Sequence, residues 1–256
     1  MNFKDYIHNI MINEGVYDPY ILKAVFFAGG PGSGKSHISK AMFEGLGLKF
    51  INSDAIFERY LKQANIPLDN INLNQFPMQK ALRDKAKELK DKQFDVLKEQ
   101  MLGLVIDGTG HSFENIKNAS DALETLGYDT YLVFVNTDLD TSIGRNMKRD
   151  RKMTDLDLIK QRWQSVQFNI GKFQQYFGAE NMLIIDNNED VPSNKMHDFE
   201  LKLRRAALSL LSKPLKNPLG NEKIKMAFKN QEPNLLHPTV SPYIKSSNNS
   251  QFNQAS

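Results

Sequence analysis

Eight consecutive residues, Gly29-Gly30-Pro31-Gly32-Ser33-Gly34-Lys35-Ser36, fit the phosphate-binding pattern G-x-x-x-x-G-K-[ST]. Glycines let successive backbone N–H groups converge on phosphate oxygens, and a helix N-terminus behind them adds partial positive charge. In such a cradle Lys35 reaches the β- and γ-phosphates of a nucleoside triphosphate, and the Ser36 hydroxyl is offered to Mg²⁺. The loop needs a strand before it and a helix after it. Ala24-Val25-Phe26-Phe27-Ala28 reads as the strand, and Ile38, Met42 and Phe43 suit the buried face of a helix that starts at Lys35.

Two carboxylates follow at places where phosphoryl transfer uses them. Asp107 ends the apolar run Leu102-Gly103-Leu104-Val105-Ile106, the position at which P-loop proteins hold a carboxylate near Mg²⁺; the alternative is a turn or cap carboxylate after a strand. Asp54 ends a second strand candidate, Lys49-Phe50-Ile51-Asn52. There it is either the general base that takes the proton of an attacking hydroxyl or the N-cap of a helix beginning at Ala55. Arg145 and Arg149 stand four residues apart on one helix face, with Arg151 beyond. A lid arginine neutralises charge that grows on a transferring phosphoryl group, and a basic helix end that only complements the helix dipole has the same composition. Gly108 occupies the position where many ATPases that power movement carry a glutamate, which argues against a motor.

The elements that must position these residues alternate between strands and helices. Thr130–Val135 and Met182–Asp186 supply the fourth and fifth strands, and helices are expected over 55–64, 78–100, 112–126, 138–150, from Thr154 to Phe177, and from a Ser193 cap to about Leu211. Such alternation predicts an α/β fold with an open parallel sheet and right-handed crossovers; the phosphate loop at its first strand implies the P-loop three-layer sandwich, five parallel strands ordered 2-3-1-4-5 with helices on both faces. Ligands then bind at the carboxyl ends of the strands, where Gly30, Asp54, Asp107, Asn136 and Asn187 all fall. Residues 61–100 exceed what a simple crossover needs and form a helical insertion suited to one wall of a substrate cleft.

With 25% charged and 40% hydrophobic residues in 256, the chain has the composition of an ordinary globular domain. The absence of cysteine excludes a disulfide framework and a thiol nucleophile. No apolar run approaches membrane-spanning length and the N-terminus does not read as a signal peptide, so a cytoplasmic location without membrane contact is expected. Residues 1–20 contain an amphipathic helix with Phe3, Ile7, Ile10 and Met11 on one side, and 21–212 form the body. From Lys213 six lysines face two glutamates among prolines, asparagines and serines, so 213–256 reads as a disordered basic tail with a short helix around Glu222–Phe228, suited to tether an acidic protein partner.

In order and spacing, Ala28–Ser36, Ile51-Asn52-Ser53-Asp54, Val105-Ile106-Asp107-Gly108-Thr109, Arg145-Asn146 with Arg149, and Ile185-Asp186-Asn187 resemble the P-loop kinase group that contains polynucleotide kinase and the zeta-toxin sugar-nucleotide kinases. The resemblance implies ATP and Mg²⁺ as cofactors, with Ser36 and Asp107 toward the metal. It places Asp54 as base, Arg145 and Arg149 as lid arginines, and Asn187 on the nucleotide side. Its implied activity is transfer of the γ-phosphoryl group to a hydroxyl of a nucleic-acid end, a nucleotide or a sugar nucleotide. An ATPase or nucleotide-operated switch within a larger assembly, or a binding protein that transfers nothing, remains the competing class.

Overall fold

All five strands run parallel, as the alternation predicts, in the order β2-β3-β1-β4-β5 expected of the P-loop sandwich. The structure is a computed structural model that describes residues 20–68, 71, 73, 75–149 and 155–228. The strands are β1 (Lys23–Gly29), β2 (Lys49–Ile51), β3 (Leu104–Asp107), β4 (Asp129–Asn136) and β5 (Met182–Asp186). The helices are α1 (Lys35–Phe43), α2 (Ser53–Gln63), α3 (Pro77–Glu99), α4 (Phe113–Glu124), α5 (Leu139–Met147), α6 (Leu156–Phe177), α7 (Met196–Leu211) and α8 (Pro218–Phe228).

Strand periodicity divides the core in two. Ala24, Phe26 and Ala28 of β1 point to one face, where they meet Ile116 and Leu123 of α4 and Val166, Phe173 and Phe177 of α6. Val25 and Phe27 point to the other, against Ile38, Met42 and Phe43 of α1 and Leu203, Ala207 and Leu211 of α7. Central strand β1 is buried along its whole length, as a parallel strand covered on both faces must be. β5 lies at the edge and leaves Ile184 45% exposed. The insertion holds a small core of its own, in which Ile56, Phe57 and Leu61 of α2 close on Ala86 of α3.

Several expected caps are replaced by near neighbours. Ser112 caps α4 as expected, accepting from the Asn115 amide. Asp155 caps α6, and Thr154 lies outside the described residues. Ser193 opens a short 3₁₀ turn ahead of α7 instead of capping it. The expected N-terminal helix over 2–13 also lies outside the described residues. Among those described, no helix is long and apolar enough to cross a membrane.

Within the expected disordered tail, the short helix around Glu222–Phe228 is present as α8 but begins earlier, at Pro218, and the segment 213–228 packs on the body. Leu215 and Ile224 are buried in the same cluster as β1 and α6. The Asp129 carboxylate accepts from the Lys216 and Asn217 amides at 2.7 and 2.9 Å. The Asn217 side chain accepts from the Leu219 and Gly220 amides, and Pro218 takes the first helical position, where a missing N–H costs nothing. Two apolar anchors and a capped helix outweigh a composition rich in lysine and proline. Residues 229–256 lie outside the described residues.

Candidate active site

Strand register brings the loop and the two carboxylates together. Phe27 of β1 pairs with Asp107 of β3, and Ile51 of β2 with Ile106, so β1, β2 and β3 end side by side. Gly29 pairs with Val135, and Asn136 with Asp186, which carries the same edge across to Asn187.

The Gly29–Ser36 loop is clamped from three sides. Ser142 of α5 donates its hydroxyl hydrogen bond to the Pro31 carbonyl. Asn187 Nδ2 donates to the Ser33 carbonyl at 2.8 Å. Trp163 of α6 lies against Gly30, its indole nitrogen donating to the Thr137 carbonyl at 2.8 Å. Gly32 and Gly34 have φ of +74° and +85°, and a Cβ on Gly34 would stand 2.5 Å from the Asn187 amide nitrogen. At Gly32 a Cβ would run into the Ser142 carbonyl. Only glycine meets both conditions at these positions. Helix α1 starts at Gly34 with no side-chain cap and no acid in its first turn. By contrast α2, α4, α5 and α6 are capped by Asn52, Ser112, Asp138 and Asp155. Helix α3 also lacks a side-chain cap and a first-turn acid, but α1 is the one that follows the glycine loop, the arrangement a nucleotide phosphate requires.

Lys35 Nζ donates to the carbonyls of Gly29 and Gly30 at 2.7 and 3.0 Å. Burial lowers its pKa to about 8, opposed by the Asp107 and Asp54 carboxylates and reinforced by the Arg149 charge. Burial likewise raises the Asp107 carboxyl, with Lys35 opposing, Asp54 reinforcing and Arg149 opposing. Lys35, Asp107, Asp54 and Arg149 therefore share one electrostatic neighbourhood. Asn52 Nδ2 donates to Asp107 Oδ2 at 2.7 Å and fixes that carboxylate in place. Ser36 stands at the start of α1 and Asp107 at the end of β3, and both offer oxygen, the donor type that Mg²⁺ takes.

Asp54 is not the cap of its helix. Asn52 caps α2, accepting from the amides of Asp54 and Ala55 at 2.7 and 3.3 Å. The Asp54 side chain is 46% exposed and pairs with Arg83 of α3 at 2.6 Å. The two arginines predicted on the lid separate. Arg149, exposed beyond the end of α5, faces Lys35 and Asp107 electrostatically. Arg145 turns instead to the loop after β5, donating to the Asn187 carbonyl and pairing with Asp190 at 2.8 Å. It thereby holds the segment that carries Asn187. Asn52, Arg83, Ser142 and Asn169 were not singled out by the sequence. Asn169 donates to the carbonyls of Gly110 and His111 at 3.1 Å each, fixing the loop after Asp107. A signal existed only for Asn52, since asparagine before a helix is a favoured cap.

Comparison with known proteins bears on this geometry. The AAA domain family matches residues 25–171, from β1 through the first two-thirds of α6. No curated protein matches. Among solved structures, that of AvrRxo1-ORF1:-ORF2 with ATP is similar at 10% identity, covering 94% of this chain and 83% of that one, with a TM-score of 0.54. The Pnkp1/Rnl/Hen1 RNA repair complex aligns at 16% identity over 60% of this chain and 46% of that one, TM-score 0.47. The PezAT chromosomal toxin-antitoxin system of Streptococcus pneumoniae aligns at 14% identity over 82% and 98%, TM-score 0.48. At such identities the likeness is one of fold, a P-loop kinase-like sandwich.

Proposed function

The chain belongs to the AAA domain family, and from that premise we propose that it is an ATP-dependent kinase that transfers the γ-phosphoryl group to a hydroxyl of a nucleic-acid end, a nucleotide or a sugar nucleotide. The observation that carries the proposal is Asp54: it is released from capping by Asn52, half exposed, and within electrostatic reach of Lys35 and Asp107. Residues 21–212 form the catalytic body in this reading, with 61–100 as the acceptor wall and ATP on the Asn187 side.

In the proposed reaction the acceptor oxygen attacks the γ-phosphorus of ATP, and its proton passes to Asp54. The bond from the γ-phosphorus to the β–γ bridging oxygen breaks, and ADP leaves with that electron pair. Lys35 moves from its own loop carbonyls to the β- and γ-phosphates, and Arg149 offsets charge on the transferring group. Mg²⁺, held through Ser36 and Asp107, would supply further positive charge across the same phosphates.

Asp54→Asn tests the assignment, because it removes the base and keeps the size of the side chain. ATP affinity is expected to hold, while transfer from ATP to a 5′-hydroxyl oligonucleotide, a nucleoside or a UDP-sugar falls by on the order of 10² to 10⁴. Weakened ATP binding with unchanged turnover would instead favour the nucleotide switch.

A further inference from the structure

The candidate base is held from the insertion, by a residue outside the phosphate loop. Arg83 reaches from α3 to α2 and meets it in three ways. Its Nη1 pairs with Asp54 Oδ1 at 2.6 Å. The same nitrogen donates to the Ser53 carbonyl at 3.4 Å. Its guanidinium carbon lies 5.3 Å from the centroid of the Phe57 ring, which is itself buried. Ser53, Asp54 and Phe57 lie within one turn of α2, so the guanidinium spans the turn that carries the carboxylate. The Arg83 side chain is 21% exposed, against 46% for Asp54. The arginine is therefore the better anchored partner, and the carboxylate is the one that faces solvent.

We propose that Arg83 is the positioning residue for Asp54, fixing the carboxylate toward an acceptor hydroxyl from the α3 side of the cleft. The inference rests on the reading of Asp54 as general base. A charge-assisted bond to arginine constrains direction as well as distance, which a lysine on a flexible stem does less well. The charges around Asp54 include Arg83 of α3, Lys35 of α1 and Asp107 of β3. Of these three, Arg83 is the one in direct contact with the Asp54 carboxylate, and it reaches the backbone and an aromatic ring of the same helix as well. The consequence is a division of labour. The loop and Asp107 place the nucleotide, while α3 aims the base, so an acceptor seated against α3 also sets the geometry of its own deprotonation.

The test compares wild type, Arg83→Met, Arg83→Lys, Asp54→Asn and the double variant Asp54→Asn/Arg83→Met, with transfer from ATP to a 5′-hydroxyl oligonucleotide, a nucleoside and a UDP-sugar. Methionine keeps the contact with Phe57 and removes the charge; Arg83→Gln serves the same purpose if the methionine variant does not fold. Arg83→Met is expected to lower kcat about 10- to 100-fold with the ATP dissociation constant within about twofold, and Arg83→Lys to restore part of the loss. In the Asp54→Asn background the same substitution is expected to cost less than about twofold, because a positioning residue has nothing left to position. An equal loss in both backgrounds, a rise in acceptor KM with kcat unchanged, or a fall in melting temperature with no change in rate would each overturn the assignment. If Asp54→Asn leaves transfer unchanged, or none of the three compounds accepts phosphate, the base reading itself fails and takes the Arg83 role with it.

Discussion

Asn52 does two things with one amide: its oxygen caps α2 and its nitrogen holds Asp107. These roles can be separated. Asn52→Ser retains a good cap but cannot span to the β3 carboxylate, so stability is expected to stay within about 0.5 kcal/mol by thermal unfolding. Asn52→Ala loses both and is expected to cost about 1 kcal/mol or more. Phosphoryl transfer should fall in both variants, because Asp107 is no longer fixed; a serine variant with wild-type transfer would show that Asp107 needs no partner. At this scale the loop was legible in the sequence, since its backbone geometry admits only glycine at Gly32 and Gly34. Arg83 was not, because its partners on α2 are distant in sequence, Ser53 by 30 residues, and leave no local pattern. The i, i+4 spacing of Arg145 and Arg149 led to an expected shared helix face, but α5 ends at Met147, before Arg149, and Asp190 claims Arg145.

The elements were the most legible level, because apolar runs bounded by glycine and caps mark buried parallel strands. The exception is the start and packing of α8, which was expected only as a short helix around Glu222–Phe228 and begins at Pro218. Its apolar residues are sparse, and the signal was the pair Asn217-Pro218, a cap followed by the residue that suits the first helical position. A truncation series tests what this segment contributes. Ending the chain after Phe228 is expected to leave the melting temperature within a few degrees, since the polar, proline-rich sequence beyond it offers little to bury. Ending it after Ser212 removes Leu215 and Ile224 from the core and strips the Asp129 carboxylate of two amide partners. Each buried aliphatic side chain is worth about 2–5 kcal/mol, and a drop of roughly 10 °C or more is expected. Equal midpoints for the two truncations would mean that α8 adds no stability.

For the molecule as a whole, Lys23 joins the first strand to this closing segment. It is 4% exposed and donates to Tyr131 Oη at 3.3 Å and to the Lys213 carbonyl. Burial lowers its pKa to about 8, with Asp129 opposing and Lys213 reinforcing. The unfolded chain keeps that proton up to about pH 10.5, so between pH 8 and 10.5 the unfolded state binds more protons and stability rises with pH. Buried Tyr128 has a raised pKa and acts in the opposite sense above pH 10, so the comparison belongs below that. Wild type is expected to gain melting temperature relative to Lys23→Met as pH goes from 7.5 to 10; a constant difference would show that Lys23 does not titrate there. Nothing in the sequence marked this lysine, because a charge at the start of a strand is ordinary until the fold closes over it.

That closure has a bearing on how the chain comes off the ribosome. Lys23 precedes its Tyr131 partner by 108 residues and its Lys213 partner by 190. The strand that carries the phosphate loop is thus among the first described segments to be synthesised, yet its floor is laid by one of the last. Until β3 and β4 have followed, both its edges and most of its apolar length lack their partners, a condition that slows folding and invites association with other chains. A released chain that ended before residue 213 would hold all five strands but leave the base of β1 open.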